Sequence, residues 1–366
     1  MMLGKYVFGA MLLSLTSAKN ITVESLSARE VDRFPKDTKL AGISTRSNGD
    51  LLVVETHPNS SIWIIREPAS TAKRKHLRDR VRINDVDTIF SLSGALPSSN
   101  EKEEMFVAAA MKMTKIETDK ADITASGIPD KFSAWNMAFT QSNSSQKATH
   151  RIRRVSNLTR DSYLMTSIAT IPNMPSVVLV ADSYRGRVGR LDLKTGVFDP
   201  RVISAREMLP LMKTGFIQGV NHILVHEGYL YFTNAKLPSV YRVKVSPDGR
   251  SIKGFHKPEV IIDLTEWHML PKALTFDADG NLYAGGEGKN HIVFVDFKTW
   301  KAKVVLGGKK SPAKGVAGLA FGNGKVDKKT LYLTTLQGRV LAIETWAADR
   351  ANSTSPAPSA SRRPKH

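Results

Sequence analysis

Short apolar alternations, each closed by a polar turn carrying glycine or aspartate, recur along this chain. The stretches G-V-N-H-I-L-V-H-E-G-Y-L-Y-F-T-N (219–234), P-K-A-L-T-F-D-A-D-G-N-L-Y-A-G-G (271–286) and G-V-A-G-L-A-F-G-N-G-K-V-D-K-K-T-L-Y-L-T-T (315–335) share one grammar: strand, turn, then a strand opening on Leu-Tyr. Period-two alternation bounded by turn residues predicts β-strands. Strands of this kind begin near Leu51, Met105, Val178, Leu230, Leu282 and Leu331, a spacing of about fifty residues that stretches only after Met105. A period of that length, present six times, suits a four-stranded blade and is too long for a helical solenoid. Helical periodicity is scarce; Ser204–Lys213 has room for one turn or two. The predicted fold class is therefore all-β, a six-bladed β-propeller over 19–346, closed radially so that its edges are protected. Its inner strands are expected near Leu52, Phe106, Leu179, Tyr231, Tyr283 and Tyr332. The extra length after Met105 predicts an insertion over Gln141–Ser162. Two stacked sandwiches would not give this period.

The ends of the chain change the picture of where it works. Lys5 precedes an apolar run from Tyr6 to Leu15, followed by Thr16-Ser17-Ala18. This is the pattern of a signal peptide over 1–18, cut before Lys19, and its apolar core is too short to span a bilayer. Five Asn-X-Ser/Thr sequons, at Asn20, Asn59, Asn143, Asn157 and Asn352, agree with entry into the secretory pathway. Glycans are expected on Asn59, Asn143, Asn157 and Asn352, since Asn20 lies almost at the new N-terminus. There is no cysteine, so in an oxidising compartment stability must come from the core alone. Residues 347–366 are Ser/Pro/Ala-rich, end R-R-P-K-H and read as a disordered tail.

Net charge is +19, from 53 Lys and Arg against 34 Asp and Glu. Part of the excess sits in K-R-K-H-L-R-D-R-V-R (73–82) and R-I-R-R (151–154). A basic balance can signal nucleic acid or anionic surfaces. No nucleic-acid-reading motif accompanies the charge, and the compartment argues against that partner. These runs read as solvated blade edges, and the mature chain as a monomer without a membrane insertion.

The blade grammar resembles the six-bladed propellers related to gluconolactonase, senescence marker protein and strictosidine synthase, most of all their fungal branch. The resemblance rests on A-G-I-S-T-R-S-N-G-D-L-L-V-V, V-L-V-A-D-S-Y-R-G-R-V-G-R-L-D-L, G-V-N-H-I-L-V-H-E-G-Y-L-Y-F-T-N and A-L-T-F-D-A-D-G-N-L-Y, and covers about residues 35–345. For the lactonases of that family it implies a divalent metal held by a Glu in the first blade, an Asn ahead of a middle blade and an Asp one blade later. Asn221 matches the Asn. Where the Glu should stand this chain has Leu40-Ala41-Gly42, and where the Asp should stand it has Pro271-Lys272. Two oxygen ligands of the kind a hard cation needs are missing, so no metal and no cofactor is expected. The fungal branch contains hetero-Diels–Alderases of tropolone–sesquiterpene biosynthesis, enzymes that need an orienting cavity and no nucleophile.

Candidate cavity donors are Asn221, Lys272 and Trp135, which would hydrogen-bond an oxygen of an apolar polycyclic ligand. Each has a plainer reading: Asn221 caps a buried strand end, and Trp135 packs between blades. His57, His222 and His268 lie near blade ends, and Asp182 faces the channel or caps a turn. No G-x-S-x-G elbow, H-E-x-x-H or P-loop is present. Three functions stay open: a metal-independent cyclase of secondary metabolism, a lactonase-like hydrolase, and a non-catalytic secreted binding propeller.

Overall fold

A computed structural model describes residues 22–70, 78–96, 103–115, 127–140, 149–158, 164–172, 174–211, 218–253, 257–308 and 310–345. Six antiparallel sheets follow one another along the chain. The first holds β3 (Lys39–Thr45), β4 (Leu51–His57), β5 (Ser61–Ile65) and β6 (Arg78–Val81); two N-terminal strands, β1 (Thr22–Val23) and β2 (Ala28–Arg33), precede it. The second holds β7 (Thr88–Leu92), β8 (Glu103–Lys115), β9 (Gly127–Thr140) and β10 (His150–Asn157). The third holds β11 (Met165–Thr170), β12 (Val177–Asp182), β13 (Arg187–Asp192) and β14 (Phe198–Ser204). The fourth holds β15 (Val220–His226), β16 (Tyr229–Asn234), β17 (Leu237–Lys244) and β18 (Glu259–Asp263). The fifth holds β19 (Met269–Phe276), β20 (Leu282–Gly288), β21 (Ile292–Asp296) and β22 (Lys301–Leu306), and the sixth β23 (Val316–Phe321), β24 (Thr330–Thr335) and β25 (Arg339–Glu344). The first strands β3, β7, β11, β15, β19 and β23 contact one another in a closed ring around the axis. This is the six-bladed propeller that the fifty-residue period implies.

The sixth blade takes its outermost strand from the other end of the chain. β2 pairs antiparallel with β25, Ala28 opposite Ile343 and Arg33 opposite Arg339, and Arg339 pairs with Glu30 at 2.7 Å. β1 adds a fifth strand, parallel to β22, at the edge of blade five. Stability resides in six apolar layers, one between each pair of neighbouring blades. A fully buried Arg46 links blades one and two. It donates to Glu104 at 2.9 Å and to the Thr140 carbonyl at 2.8 Å, and lies 3.6 Å from Asp50.

Two sequence expectations need correction. Leu52, Phe106, Leu179, Tyr231, Tyr283 and Tyr332 lie on the second strand of each blade, not the innermost. Second strands are covered on both faces, and β12 and β24 are buried at every position, so they carry the densest apolar signal. The innermost strands face the channel and read more faintly. The expected insertion over 141–162 is replaced in part by β10, the outer strand of blade two; the extra length of that blade goes into the long β8–β9 pair, of 13 and 14 residues. The one turn or two for which Ser204–Lys213 has room is met by a single 3-10 turn, Arg206–Met208, among the described residues. The stretches 1–18 and 347–366 lie outside the described residues. Arg78, Arg80 and Arg82 lie on or beside β6, and Arg151, Arg153 and Arg154 lie on β10, so the described parts of both basic runs are blade edges. Charge on an edge strand discourages pairing with another chain.

Candidate functional site

Each innermost strand breaks its pairing with the second strand at the same place. The register skips between Leu40 and Ile43, Ile89 and Ser91, Met165 and Ser167, Val220 and Ile223, Pro271 and Ala273, and Val316 and Gly318. Each skip is a β-bulge, which leaves a residue out of the ladder and turns its side chain aside. Aligned on the bulge, the six sequences read Ala41-Gly42-Ile43, Phe90-Ser91-Leu92, Thr166-Ser167-Ile168, Asn221-His222-Ile223, Lys272-Ala273-Leu274 and Ala317-Gly318-Leu319. The first residue of each triplet lines the central cavity, one from every blade.

A buried backbone N–H beside a bulge must find a partner. Neighbouring blades supply it. Ser91 Oγ accepts from the N–H of Ile168 at 3.1 Å, and Ser167 Oγ from that of Ile223 at 3.2 Å. Thr166 Oγ1 donates to the carbonyl of Asn221 at 2.7 Å, and Thr334 Oγ1 to that of Ala41. Gly318 has no side chain because a Cβ there would stand 2.6 Å from the Ala41 carbonyl oxygen. The ring is thus fixed by bonds that run from blade to blade.

The cavity is about 230 Å³ and opens on the face where the innermost strands begin. Its walls differ. Blades six, one and two contribute mainly apolar groups, Val316, Ala317, Leu319, Ala41, Ile43, Phe90 and Leu92, with Gly42, Gly318, Thr56 and Ser91 among them and Leu336 at the rim. Blades three, four and five contribute Thr166, Asn221, His222, Lys272 and Glu287. The Asn221 side-chain amide is half-buried and forms no hydrogen bond with the described residues. Burial pulls the Lys272 amine below the usual lysine range; Glu287 works against that shift and Lys236 with it. Burial holds the His222 imidazole down at about 4, opposed by its hydrogen bond to the Leu274 backbone, so the ring is neutral at physiological pH.

Two of the three candidate donors, Asn221 and Lys272, therefore meet in one cavity. Trp135 does not join them. It lies on β9, the third strand of blade two, where its indole N–H donates to Ser133 Oγ at 2.8 Å and Arg154 lies 5.7 Å over the ring. There it packs against the apolar layer between blades one and two. Asp182 is buried and accepts from the N–H of Arg185 at 3.2 Å, capping the turn after β12. His57 and His268 are exposed and outside the cavity lining. Asn59 and Asn157 are exposed; Asn143 and Asn352 lie outside the described residues.

A divalent metal does not fit the residues present. Among the described residues the only carboxylate on the cavity wall is Glu287, which lies near Lys272, and no three His, Asp or Glu side chains gather as a metal site requires. A cation at Lys272 would repel the ion that the missing Asp would have attracted.

No family model matches the chain. It is 25% identical over 240 residues to a putative hetero-Diels-Alderase of Sarocladium schorii, a match spanning 62% of this chain and 55% of the relative. It is 22% identical over 334 residues to a putative hetero-Diels-Alderase of a Phoma species, spanning 87% and 88%. Among solved structures it resembles the calcium-binding protein regucalcin of Agrobacterium tumefaciens, with a TM-score of 0.55 and 13% identity over 89% of this chain and 97% of that one. That likeness speaks for the propeller fold.

Proposed function

We propose that this chain is a metal-independent cycloaddition enzyme of the hetero-Diels–Alderase kind, acting on a small-molecule substrate in the central cavity. The observation that carries the reading is the divided ring: Thr166, Asn221 and Lys272 on one arc, Ala317, Ala41 and Phe90 on the other. A conjugated heterodiene has this polarity, with an electron-rich oxygen at one end and a hydrocarbon skeleton at the other. The similarity to the two fungal relatives supports the same reaction class.

The chemistry asks little of the protein. In a hetero-[4+2] closure one C–O bond and one C–C bond form together, every atom of both components is kept, and no proton or electron is exchanged with the enzyme. The protein's part is orientation, worth roughly 7–11 kcal/mol in favourable systems, and donors aimed at the oxygen where charge builds up. The Asn221 amide and the Lys272 side-chain nitrogen, both lining the cavity, fill the second role. Trp135 takes no part, because it lies away from the cavity. Enclosed ligands usually occupy roughly 300–1,000 Å³. At about 230 Å³ the cavity holds the reacting end of a polycyclic substrate, while the rest passes over Leu336 at the rim. The same reading makes the protein a secreted, glycosylated monomer with no cofactor.

The test supplies purified protein with an ortho-quinone methide generated in situ and a tethered alkene, and follows rate and enantiomeric excess by chiral chromatography. Turnover above background with one enantiomer in excess is expected. Asn221→Ala should lower kcat by about 10²–10³-fold without altering metal content. Racemic product at the background rate, or lactone hydrolysis lost together with one stoichiometric Ca²⁺ in EDTA, would replace this reading with the hydrolase.

A further inference from the structure

We propose that Lys272 is a carbonyl-capturing amine: its bulge aims it into the central cavity, where it condenses reversibly with the aldehyde group of a small conjugated or aromatic ligand. Geometry is the first reason. Lys272 is the residue left out of the β19–β20 ladder between Pro271 and Ala273, so its stem is directed away from the sheet and into the cavity. The proline before it holds the local backbone. Lys272 forms no ion pair or hydrogen bond with the described residues, which leaves its nitrogen free for a ligand. Burial then favours the unprotonated amine, the nucleophilic form. An ordinary lysine is unprotonated in only roughly one molecule in 2,500 at neutral pH.

The neighbours complete the chemistry. The Asn221 amide, without a partner among the described residues, donates to the carbonyl oxygen as the Lys272 lone pair attacks the carbonyl carbon. The C=O π electrons move to oxygen, which takes up a proton, and nitrogen loses one, giving a carbinolamine. Loss of water then forms the C=N bond; the carbonyl oxygen and both amine hydrogens leave as that water. Nothing is oxidised or reduced. Glu287 on β20 is the group placed to return the proton that departs with the oxygen. The apolar arc of Ala41, Phe90 and Ala317 receives the carbon skeleton, and the cavity volume sets a limit near one ring system.

The proposal does not rest on the cycloaddition, because it is read with no diene present; either can fail alone. Intact protein is incubated with benzaldehyde or cinnamaldehyde and cyanoborohydride at neutral pH, then digested and mapped by mass spectrometry against time. One stoichiometric reduced adduct on Lys272, formed at least about tenfold faster than on any other lysine, is the expected result. Its rate should fall as pH drops, under the combined influence of Glu287, Lys236 and neutral His222, the titratable groups around it. Lys272→Arg cannot form an imine and should lose the fast adduct, while the surface lysines label as in wild type. Labelling of Lys272 no faster than surface lysines, or a fast adduct that persists in Lys272→Arg, overturns the proposal. The wild-type map decides the matter even if the variant fails to fold.

Discussion

Replacing Ser167 with alanine tests whether the cavity ring is held by its neighbours. Ser167 and Ile223 are each 1% exposed, and Ile223 is where the ladder resumes, opposite Phe232, after the bulge at Asn221-His222. The partner of its N–H is Ser167 Oγ, 3.2 Å away on the preceding blade. Alanine removes the acceptor and leaves a buried donor with none, at a cost of about 1–3 kcal/mol. A domain of this size moves in melting temperature by about 2 °C per kcal/mol, so Ser167→Ala should melt about 2–6 °C below wild type. The local effect is more telling. The amide of Ile223 should exchange with solvent faster by a factor that matches the global loss or exceeds it, while amides of the opposite blades keep their protection apart from the global change. Because Asn221 precedes Ile223 by two residues, turnover should fall as well, with kcat reduced more than KM is raised. Circular dichroism melts and hydrogen exchange resolved by residue measure these quantities. An unchanged melting temperature with unaltered exchange at Ile223 would refute the claim that serine hydroxyls from one blade fix the bulge of the next.

Three further outcomes are expected. Arg46→Met leaves Glu104 and Asp50 buried without their cation and should cost about 3–5 kcal/mol in urea unfolding; adding Glu104→Gln should recover part of the loss. His222 has a folded-state pKa near 4, below the ordinary value of about 6.5, so its stabilising contribution is complete above about pH 6.5 and is lost as pH falls towards 4. That contribution is at most about 3 kcal/mol, less to the degree that cavity water hydrates the ring, and His222→Gln should flatten the acid limb of the stability curve. Expression in a eukaryotic secretory host should yield a chain starting at Lys19 with glycans on Asn59 and Asn157, both exposed; an intact mass unchanged by glycosidase would count against secretion with glycosylation.

The sequence displayed the propeller more readily than its axis. Leu-Tyr openings such as Leu230-Tyr231 and Leu331-Tyr332 stand out because those strands are buried on both faces. The strands that build the cavity are shorter in apolar content, since one side must face a channel. Asn221 and Lys272 were legible as cavity residues only through their place in the repeat. Phe90, Thr166, Ala317 and Glu287 belong to no motif of their own, and His222 is one of several scattered histidines. The missing signal was present: six triplets of variable residue, then a small residue or histidine, then Ile or Leu. It was hard to see because the first position of the triplet is free to vary, which is what a ligand-facing ring demands. Trp135 misled for the opposite reason. A large aromatic with one donor fits a cavity wall and a layer between blades equally well, and only the strand it occupies tells them apart.

The pairing of β2 with β25 bears on how the molecule is made. Glu30 and Arg339 are 309 residues apart. At a synthesis rate of about 5–20 residues per second, roughly 15–60 s separate the appearance of the two. Throughout that interval the N-terminal strand has no partner, and the emerging sheets present open ends to everything around them. Blades can form in order as they leave the ribosome, yet the channel acquires its full circumference only when the final strand arrives. A chain stopped short of residue 339 would hold five finished blades and still enclose no binding site.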